Sequence, residues 1–242
     1  MYQHHISGNI RHHECDADGG LKLNCLLDRL QDAAAEHAQF LNVGMSELAE
    51  MKLIWVLSRL KIRLDHPLKL GDMLDVRTYP SGVQRIFAHR CYELLSGGRR
   101  AGYAGSFWLP VNMFSGRPVN ARKVLPPEIL ELPEVEKFFP DMDNLELPET
   151  DICAERRIGA GDVDLNRHLN NAVYARWTVD VLGDVLQEVS PQVREVQFNY
   201  LSSGQFGESV FLKAATGSDG KFTVSGEKED KTPLFCAVGI LG

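Results

Sequence analysis

No two cysteines of this 242-residue chain form a C-x-x-C pair, and the five present, Cys15, Cys25, Cys91, Cys153 and Cys236, are odd in number and widely spaced. That excludes a disulfide framework and a zinc knuckle and leaves reduced thiols. No apolar run approaches the roughly 18 residues needed to cross a bilayer, so no membrane span is expected. The start, Met1 to Gly8, shows neither the basic nor the apolar region of a secretion signal, which makes the cytoplasm the expected location. No stripe of Lys and Arg stands out and the formal net charge is −7, so nucleic acid is not an expected partner. His4, His5, His12 and His13 have no cysteine or carboxylate at ligand spacing, so no metal and no cofactor are expected.

What is present concentrates in Gly161-Asp162-Val163-Asp164-Leu165-Asn166-Arg167-His168-Leu169-Asn170-Asn171-Ala172-Val173-Tyr174. Read as extended, this segment sends Asp164, Asn166 and His168 to one side, with Leu165 and Arg167 on the other. Asn170 and Asn171 follow where a helix would be capped, which sets free N–H groups and a positive dipole end beside the polar trio. That is the layout of an active site. It is also the composition of an ordinary capping turn, so the rest of the chain has to decide.

The chain repeats itself faintly. Asp16-Ala17-Asp18-Gly19-Gly20-Leu21-Lys22-Leu23-Asn24-Cys25 can be laid over Asp162 to Asn171, which matches Asp16 with Asp162 and Asp18 with Asp164. In that register Gly20 stands for Asn166 and Lys22 for His168, so the chemistry does not repeat. A helical pattern follows each copy: Leu26, Leu27, Leu30, Ala33, Ala34, Ala38 and Leu41 up to Asn42 and Gly44, then Val173, Trp177, Val181, Leu182, Val185 and Leu186 up to Ser190-Pro191. Only strand-like text comes after each helix. In the first half this is Ile54–Leu64, Met73–Tyr79, Arg85–Leu94 and Arg100–Pro110, with Ser81-Gly82 among the turns. In the second half it is Val193–Leu201, Ser209–Ala215, Phe222–Lys228 and Leu234–Ile240. In the strand Ile54–Leu64, Val56, Ser58, Leu60, Ile62 and Leu64 alternate with Arg59, Lys61 and Arg63.

Each half therefore reads as a leading strand, one long helix and about four antiparallel strands that wrap it. The expected fold class is α+β, two tandem hotdog domains, each a long helix wrapped by an antiparallel β-sheet. The expected boundaries are 1–121, a Pro-rich linker over 122–150, and 151–242. Leu125, Ile129, Leu130, Leu132, Val135, Phe138 and Phe139 give the linker enough apolar surface to pack on the body or cover a groove. Sheet edges left exposed leave a homodimer open as well.

At Asp164-x-Asn166-x-His168-x-Asn170-Asn171-x-x-Tyr174-x-x-Trp177 the chain resembles the acyl-ACP thioesterases, which fuse two hotdog domains. Leu21-Lys22-Leu23, Leu30 to Ala38, Trp55 to Leu60 and Tyr79-Pro80-Ser81-Gly82 also resemble the first domain of bacterial members. The resemblance implies a hydrolase that releases free fatty acid from acyl-acyl carrier protein. Asp164, Asn166 and His168 are implied as its catalytic set. The first domain is implied to hold most of the acyl chain, with Leu26, Ala34 and Val56 controlling pocket depth. Asn170, Asn171, Tyr174 and Ser203 are taken as substrate-binding. A fourth polar residue, often glutamate, with a neighbouring cysteine in plant members, is expected three residues after the tyrosine of the following strand. Here Tyr200 leads to Ser203 and Gly204, which rules out a cysteine nucleophile there. Glu195 or Glu208 could substitute only in a shifted local register.

Thioester hydrolysis needs a positioned water, a base and donors facing the developing oxyanion. His168 fits the base, because imidazole changes charge near neutral pH. The other assignment makes Asp164 the base or nucleophile with His168 positioning, and the two stay open. The partners implied are a fatty acyl thioester and an acidic carrier protein. The carrier would need a local basic group drawn from Arg85, Arg90, Arg99, Arg100, Arg117, Arg122 and Lys123. The competing readings are an acyl-CoA thioesterase on the same scaffold and a non-catalytic acyl-ACP-binding module.

Overall fold

The computed structural model describes residues 2–131, 135–148 and 150–242. Two compact units make it up, Met1–Ile10 with Asp28–Met142, and Arg11–Leu27 with Asp143–Gly242. The first copy of the repeated loop thus groups with the C-terminal half.

In the first unit β1 (His4–Asn9), β2 (Leu53–Leu64), β3 (Met73–Gln84), β4 (Phe87–Ser96) and β5 (Arg99–Asn112) form an antiparallel sheet in the order β1-β3-β4-β5-β2. Helix α1 (Leu23–Phe40), whose first residues up to Leu27 group with the other unit, buries Leu26, Leu27, Leu30, Ala33 and Ala34 at the spacing that the sequence shows. Asn42, at φ 57°, ends this helical stretch, with the Val43 N–H donating to the Ala38 carbonyl at 2.9 Å. The short α2 (Met45–Glu50) follows and packs Leu48 with Val43 and Leu53.

Three register shifts interrupt the sheet, at Leu57/Arg59, Pro80/Gly82 and Leu94/Leu95, and the first two displace the alternation that the sequence suggests. In β2, Leu57 pairs with Trp108 and Arg59 with Phe107, so Ser58 is an extra residue that reverses the phase. Leu57 now shares the α1-facing side with Leu60 and Ile62, whereas Val56 falls on the other side, 37% exposed. The sequence reading carried the alternation through unbroken and set Val56 in phase with Leu60. Ser81-Gly82, expected as a turn, is a bulge inside β3, where Pro80 pairs with Arg90 and Gly82 with His89. The chain reverses instead at Arg85-Ile86, with Arg85 at φ 55°.

The linker packs closely on the body. In α3 (Pro127–Leu130), Ile129 joins the cluster under α2, with Leu125 packed against it. Phe138 is buried on Tyr79 and Cys91, flanked by Val135, Phe139 and Tyr103. The Tyr79 hydroxyl donates to the Glu136 carbonyl at 3.1 Å, and the Phe138 N–H donates to the Cys91 sulfur at 3.2 Å. Glycine is required at Gly105, because a Cβ there would run into the Phe138 carbonyl oxygen. Tyr79 and Cys91 point away from α1, since their neighbours Thr78 and Arg90 reach towards it, so the linker lies on the outer face of this sheet. Leu132 and Pro133 lie outside the described residues.

The second unit repeats the plan with β6 (Ile152–Arg157), α4 (Asn171–Leu186), β7 (Val193–Tyr200), β8 (Ser209–Thr216), β9 (Lys221–Lys228) and β10 (Pro233–Leu241), ordered β7-β10-β9-β8-β6. Tyr174, Trp177, Val181 and Leu182 form the buried stripe of α4. This helix ends at Gln187, left-handed at φ 58°, and not at Ser190-Pro191. On the outer face the Gln197 and Asn199 side chains donate to the Asp143 carbonyl at 2.9 and 3.1 Å, which ties down the end of the linker. Both units are thus hotdog in architecture, and the α+β class expected from the sequence is the one observed.

Candidate active site

The polar segment ahead of α4 is a tight turn and not an extended strand. Asp164 Oδ1 accepts the backbone N–H groups of Asn166 at 2.8 Å and His168 at 3.1 Å, and the Asp164 N–H donates to the His168 carbonyl at 2.8 Å. This is the local bond that short Asx side chains make with the backbone two residues on, extended to a second donor. Arg167 sits at φ 62°, a conformation that costs a non-glycine residue roughly 1–2 kcal/mol. Asp164 and His168 are half-buried and Asn166 is exposed. The carboxylate bonds the backbone of both partners, and among the described residues no bond joins the three side chains to one another.

The turn is anchored on every side. Ala160–Asp162 form a 3-10 turn closed by Asp162 Oδ2 on the Gly159 N–H at 2.9 Å, while Asp162 Oδ1 holds Arg176 of α4 at 2.7 Å. The Leu169 N–H donates to the Gly204 carbonyl at 2.9 Å, which brings Ser203 alongside the turn. A Cβ at Gly204 would approach Ile158 Cδ1 to 2.6 Å and Leu169 Cβ to 3.3 Å, so a side chain there would have to displace the end of Ile158. Asn170 caps α4, its Oδ1 accepting the Ala172 N–H at 3.0 Å. The Asn170 N–H itself donates to the Asp162 carbonyl at 2.9 Å, and the Val173 N–H donates to the Asn170 carbonyl at 2.9 Å. The Asn171 carbonyl accepts the Tyr200 hydroxyl at 3.5 Å.

Tyr174 is buried in an aromatic cluster, edge-on to Tyr200 at 5.5 Å and 5.0 Å from Phe235. Burial pushes its phenol well above the usual range. The Gly204 backbone opposes this with a hydrogen bond, and the nearby Glu208 and Asp164 charges add to it. This packing seats α4 against the 204–208 loop. Glu208 is held by the Gln205 N–H at 2.8 Å and by Lys228 at 3.0 Å, so it braces that loop. Leu26 and Ala34 are buried on α1. The Asp162–Arg176 clamp escaped the sequence reading. The available signal for the clamp was opposite charges at the two ends of the motif.

The first copy of the loop has the same bonds. Asp16 Oδ1 accepts the N–H groups of Asp18 at 3.0 Å and Gly20 at 2.8 Å, and the Asp16 N–H donates to the Gly20 carbonyl at 2.8 Å. Isolated bridges close both loops, Cys15 with Leu21 and Val163 with Leu169. A 3-10 turn precedes each, and Glu14 Oε2 closes the first on the Arg11 N–H at 2.7 Å as Asp162 closes the second. Gly19, at φ 78°, stands where Arg167 does. The structural register therefore matches Asp16 with Asp164, Asp18 with Asn166 and Gly20 with His168, two residues away from the sequence alignment. Counting identities favoured two aspartates, whereas the loop is defined by which aspartate accepts the backbone. Among the described residues no group of three His, Cys, Asp or Glu side chains is placed to hold a metal ion.

Comparison with known proteins gives concordant matches. The acyl-ACP thioesterase N-terminal domain family matches residues 2–130, and the acyl-ACP thioesterase C-terminal domain family matches residues 148–229. The chloroplastic palmitoyl-acyl carrier protein thioesterase of Cuphea hookeriana is 26% identical over 207 residues, covering 78% of this chain and 47% of its own. The chloroplastic oleoyl-acyl carrier protein thioesterase 1 of Arabidopsis thaliana is 26% identical over 232 residues, covering 87% and 63%. The chain spans about half the length of the curated relatives it matches. Among solved structures, an acyl-ACP thioesterase from Bacteroides thetaiotaomicron superposes with a TM-score of 0.84 at 22% identity, covering 99% of this chain and 98% of that one. The 12:0-ACP thioesterase from Umbellularia californica gives 0.85 at 15%, covering 99% and 97%. At these identities the structural likeness is one of fold.

Proposed function

Because the chain belongs to the acyl-ACP thioesterase family, we propose that it releases free fatty acid from acyl-acyl carrier protein by directing water onto the thioester carbonyl. The observation that carries this reading is the contrast between the two loops. Backbone and anchoring aspartate are the same in both, and only the second adds an imidazole in place of Gly20 and an amide in place of Asp18.

His168 is assigned as general base. It takes a proton from the attacking water as the C–O bond forms, and returns it to the sulfur of the carrier's thiol as the C–S bond breaks. Asp164 holds the turn through two backbone N–H groups, so its first role is to fix where the imidazole starts. The Asn166 amide and the positive end of α4 are assigned to the oxyanion. The N–H groups of Asn170, Ala172 and Val173 are engaged in the cap, which makes the first turn of α4 a source of field more than of direct donors.

The first unit is assigned the acyl chain, on the α1 side of its sheet, with Ala34 from the helix and Leu57 where the sequence suggested Val56. Arg85, Arg122 and Lys123 are assigned to the acidic carrier. All three are exposed, and Arg122 donates to the Val83 carbonyl at 3.1 Å beside the β3–β4 turn. Free thiols at all five cysteines fit a reducing, cytoplasmic setting.

The test is thiol release from a panel of acyl-carrier-protein thioesters and the matching CoA thioesters, comparing the native chain with His168→Ala. The expected result is preference for the carrier-bound substrates and a loss of about a hundred- to ten-thousand-fold in turnover in the variant. Near-native turnover by folded His168→Ala would remove His168 from the mechanism, and no turnover by the native chain would remove the hydrolase.

A further inference from the structure

A surface that holds only hydrocarbon has no use for a cation, yet the α1-facing side of the first unit's sheet carries one at its centre. Thr78 and Tyr92 are cross-strand partners there, and so are Arg90 and Ser106. His37 descends onto them from α1. His37, Thr78, Tyr92 and Ser106 are each at most 1% exposed. The hydroxyls satisfy one another and the backbone. Ser106 Oγ accepts the Trp108 indole N–H at 2.8 Å and lies 3.3 Å from the Tyr92 hydroxyl, and Thr78 donates to the Cys91 carbonyl at 3.0 Å.

Arg90 is the exception. Its Nη1 donates to His37 Nδ1 and to Thr78 Oγ1, each at 3.0 Å, and both are neutral acceptors. The Nε and Nη2 hydrogens find no acceptor among the described residues, and no carboxylate there pairs with the guanidinium. Although its two partners are sealed, Arg90 itself keeps some accessible surface. The sequence places this arginine among the basic residues from which a carrier-binding group would be drawn, whereas the structure turns it towards α1. A cation held among neutral groups is costly unless something supplies a counter-charge, and the Nε–Nη2 edge of a guanidinium matches a carboxylate with two parallel bonds.

We propose that this edge of Arg90 binds a carboxylate carried by an acyl chain lying on the α1 side of the sheet. The inference rests on the acyl-binding role assigned to this unit above. Two sources share that chemistry: the far end of a carboxylate-terminated acyl thioester, and the carboxylate of the released acid.

The experiment measures thiol release from thioesters of matched chain length that end in a methyl group or in a carboxylate, using the native chain, Arg90→Met and Arg90→Lys. The ratio of kcat/KM, carboxylate-ended over methyl-ended, is expected to fall about ten- to a hundred-fold in Arg90→Met, the range of one lost charge-assisted contact, with partial recovery in Arg90→Lys. Calorimetry on the same proteins follows binding of a long-chain dicarboxylic acid and of the monocarboxylic acid of equal length. Weakening of the dicarboxylic acid alone in Arg90→Met assigns the site to the substrate's far end. Equal weakening of both, with the ratio unchanged, assigns it to the released acid. An unchanged ratio together with unchanged binding in folded Arg90→Met overturns the proposal. Should Arg90→Met fail to fold, Thr78→Val removes one anchor of the guanidinium, and a smaller fall in the same readouts is expected. A native chain that binds the dicarboxylic acid through Arg90 but hydrolyses nothing would keep this site and refute the thioesterase.

Discussion

Asp164 Oδ1 accepts the His168 N–H at 3.1 Å, and Asp16 Oδ1 accepts the Gly20 N–H at 2.8 Å, so one aspartate builds the same turn with and without an imidazole on it. Asparagine can offer the same acceptor oxygen. Asp164→Asn should therefore keep the melting temperature and lose less than about tenfold in kcat, the cost of one weakened contact near 1.4 kcal/mol. His168→Ala should lose at least a hundredfold. Asp164→Asn as inactive as His168→Ala, with its fold intact, would return the chemistry to the carboxylate.

The linker is held by a contact that tolerates no side chain at Gly105. Gly105→Ala forces a methyl group into the Phe138 carbonyl and should destabilise the chain by about 1–3 kcal/mol, as overpacking does. Thermal unfolding gives the magnitude. Limited proteolysis should show earlier cutting around Phe138, and an unchanged pattern would mean that the linker moved without loss.

Asp28 of α1 has its pKa pushed up from 3.8 to about 6, by burial first and then by the neighbouring Asp32 charge. Between these values the folded chain keeps a proton that the unfolded chain releases, so stability falls as pH rises from 3.8 through about 6 and stays lower above. Asp28→Asn removes the titration. Its gain in melting temperature over the native chain should be largest above about pH 6 and vanish below 3.8. A gain independent of pH would trace to packing.

Arg122→Glu places a negative charge beside Arg85 and Lys123. KM for an acyl-carrier-protein substrate should rise about fivefold, matching roughly 1 kcal/mol for a rim charge, and the effect should shrink with added salt. A small acyl-pantetheine substrate should show no change. Equal effects on both substrates would deny this patch the carrier.

The hotdog plan was legible because α1 and α4 keep their apolar stripes at helical spacing and the strands are bounded by Gly-rich turns. Two places misled, and for the same reason. At Ser58 and at Ser81 one added residue shifts the phase of a strand, which leaves no mark in composition and moves Val56 off the α1 side. The residues of the candidate site were legible by type but not by conformation. An Asx turn and an extended strand use the same Asp and Asn, and only the bonds to the Asn166 and His168 N–H groups distinguish them. Arg90 groups with the basic residues offered to a carrier, because nothing in the sequence shows that Thr78 and His37 would enclose it.

The paired loops at Asp16 and Asp164 have one further use. Both turns are held by the same pattern of amide-to-carboxylate bonds, so their backbone signals should respond alike to temperature, denaturant or a general loosening of the chain. A change seen at Asn166 and His168 but not at Asp18 and Gly20 then belongs to substrate and not to folding. The silent loop is thus an internal reference, carried at equal concentration in every sample.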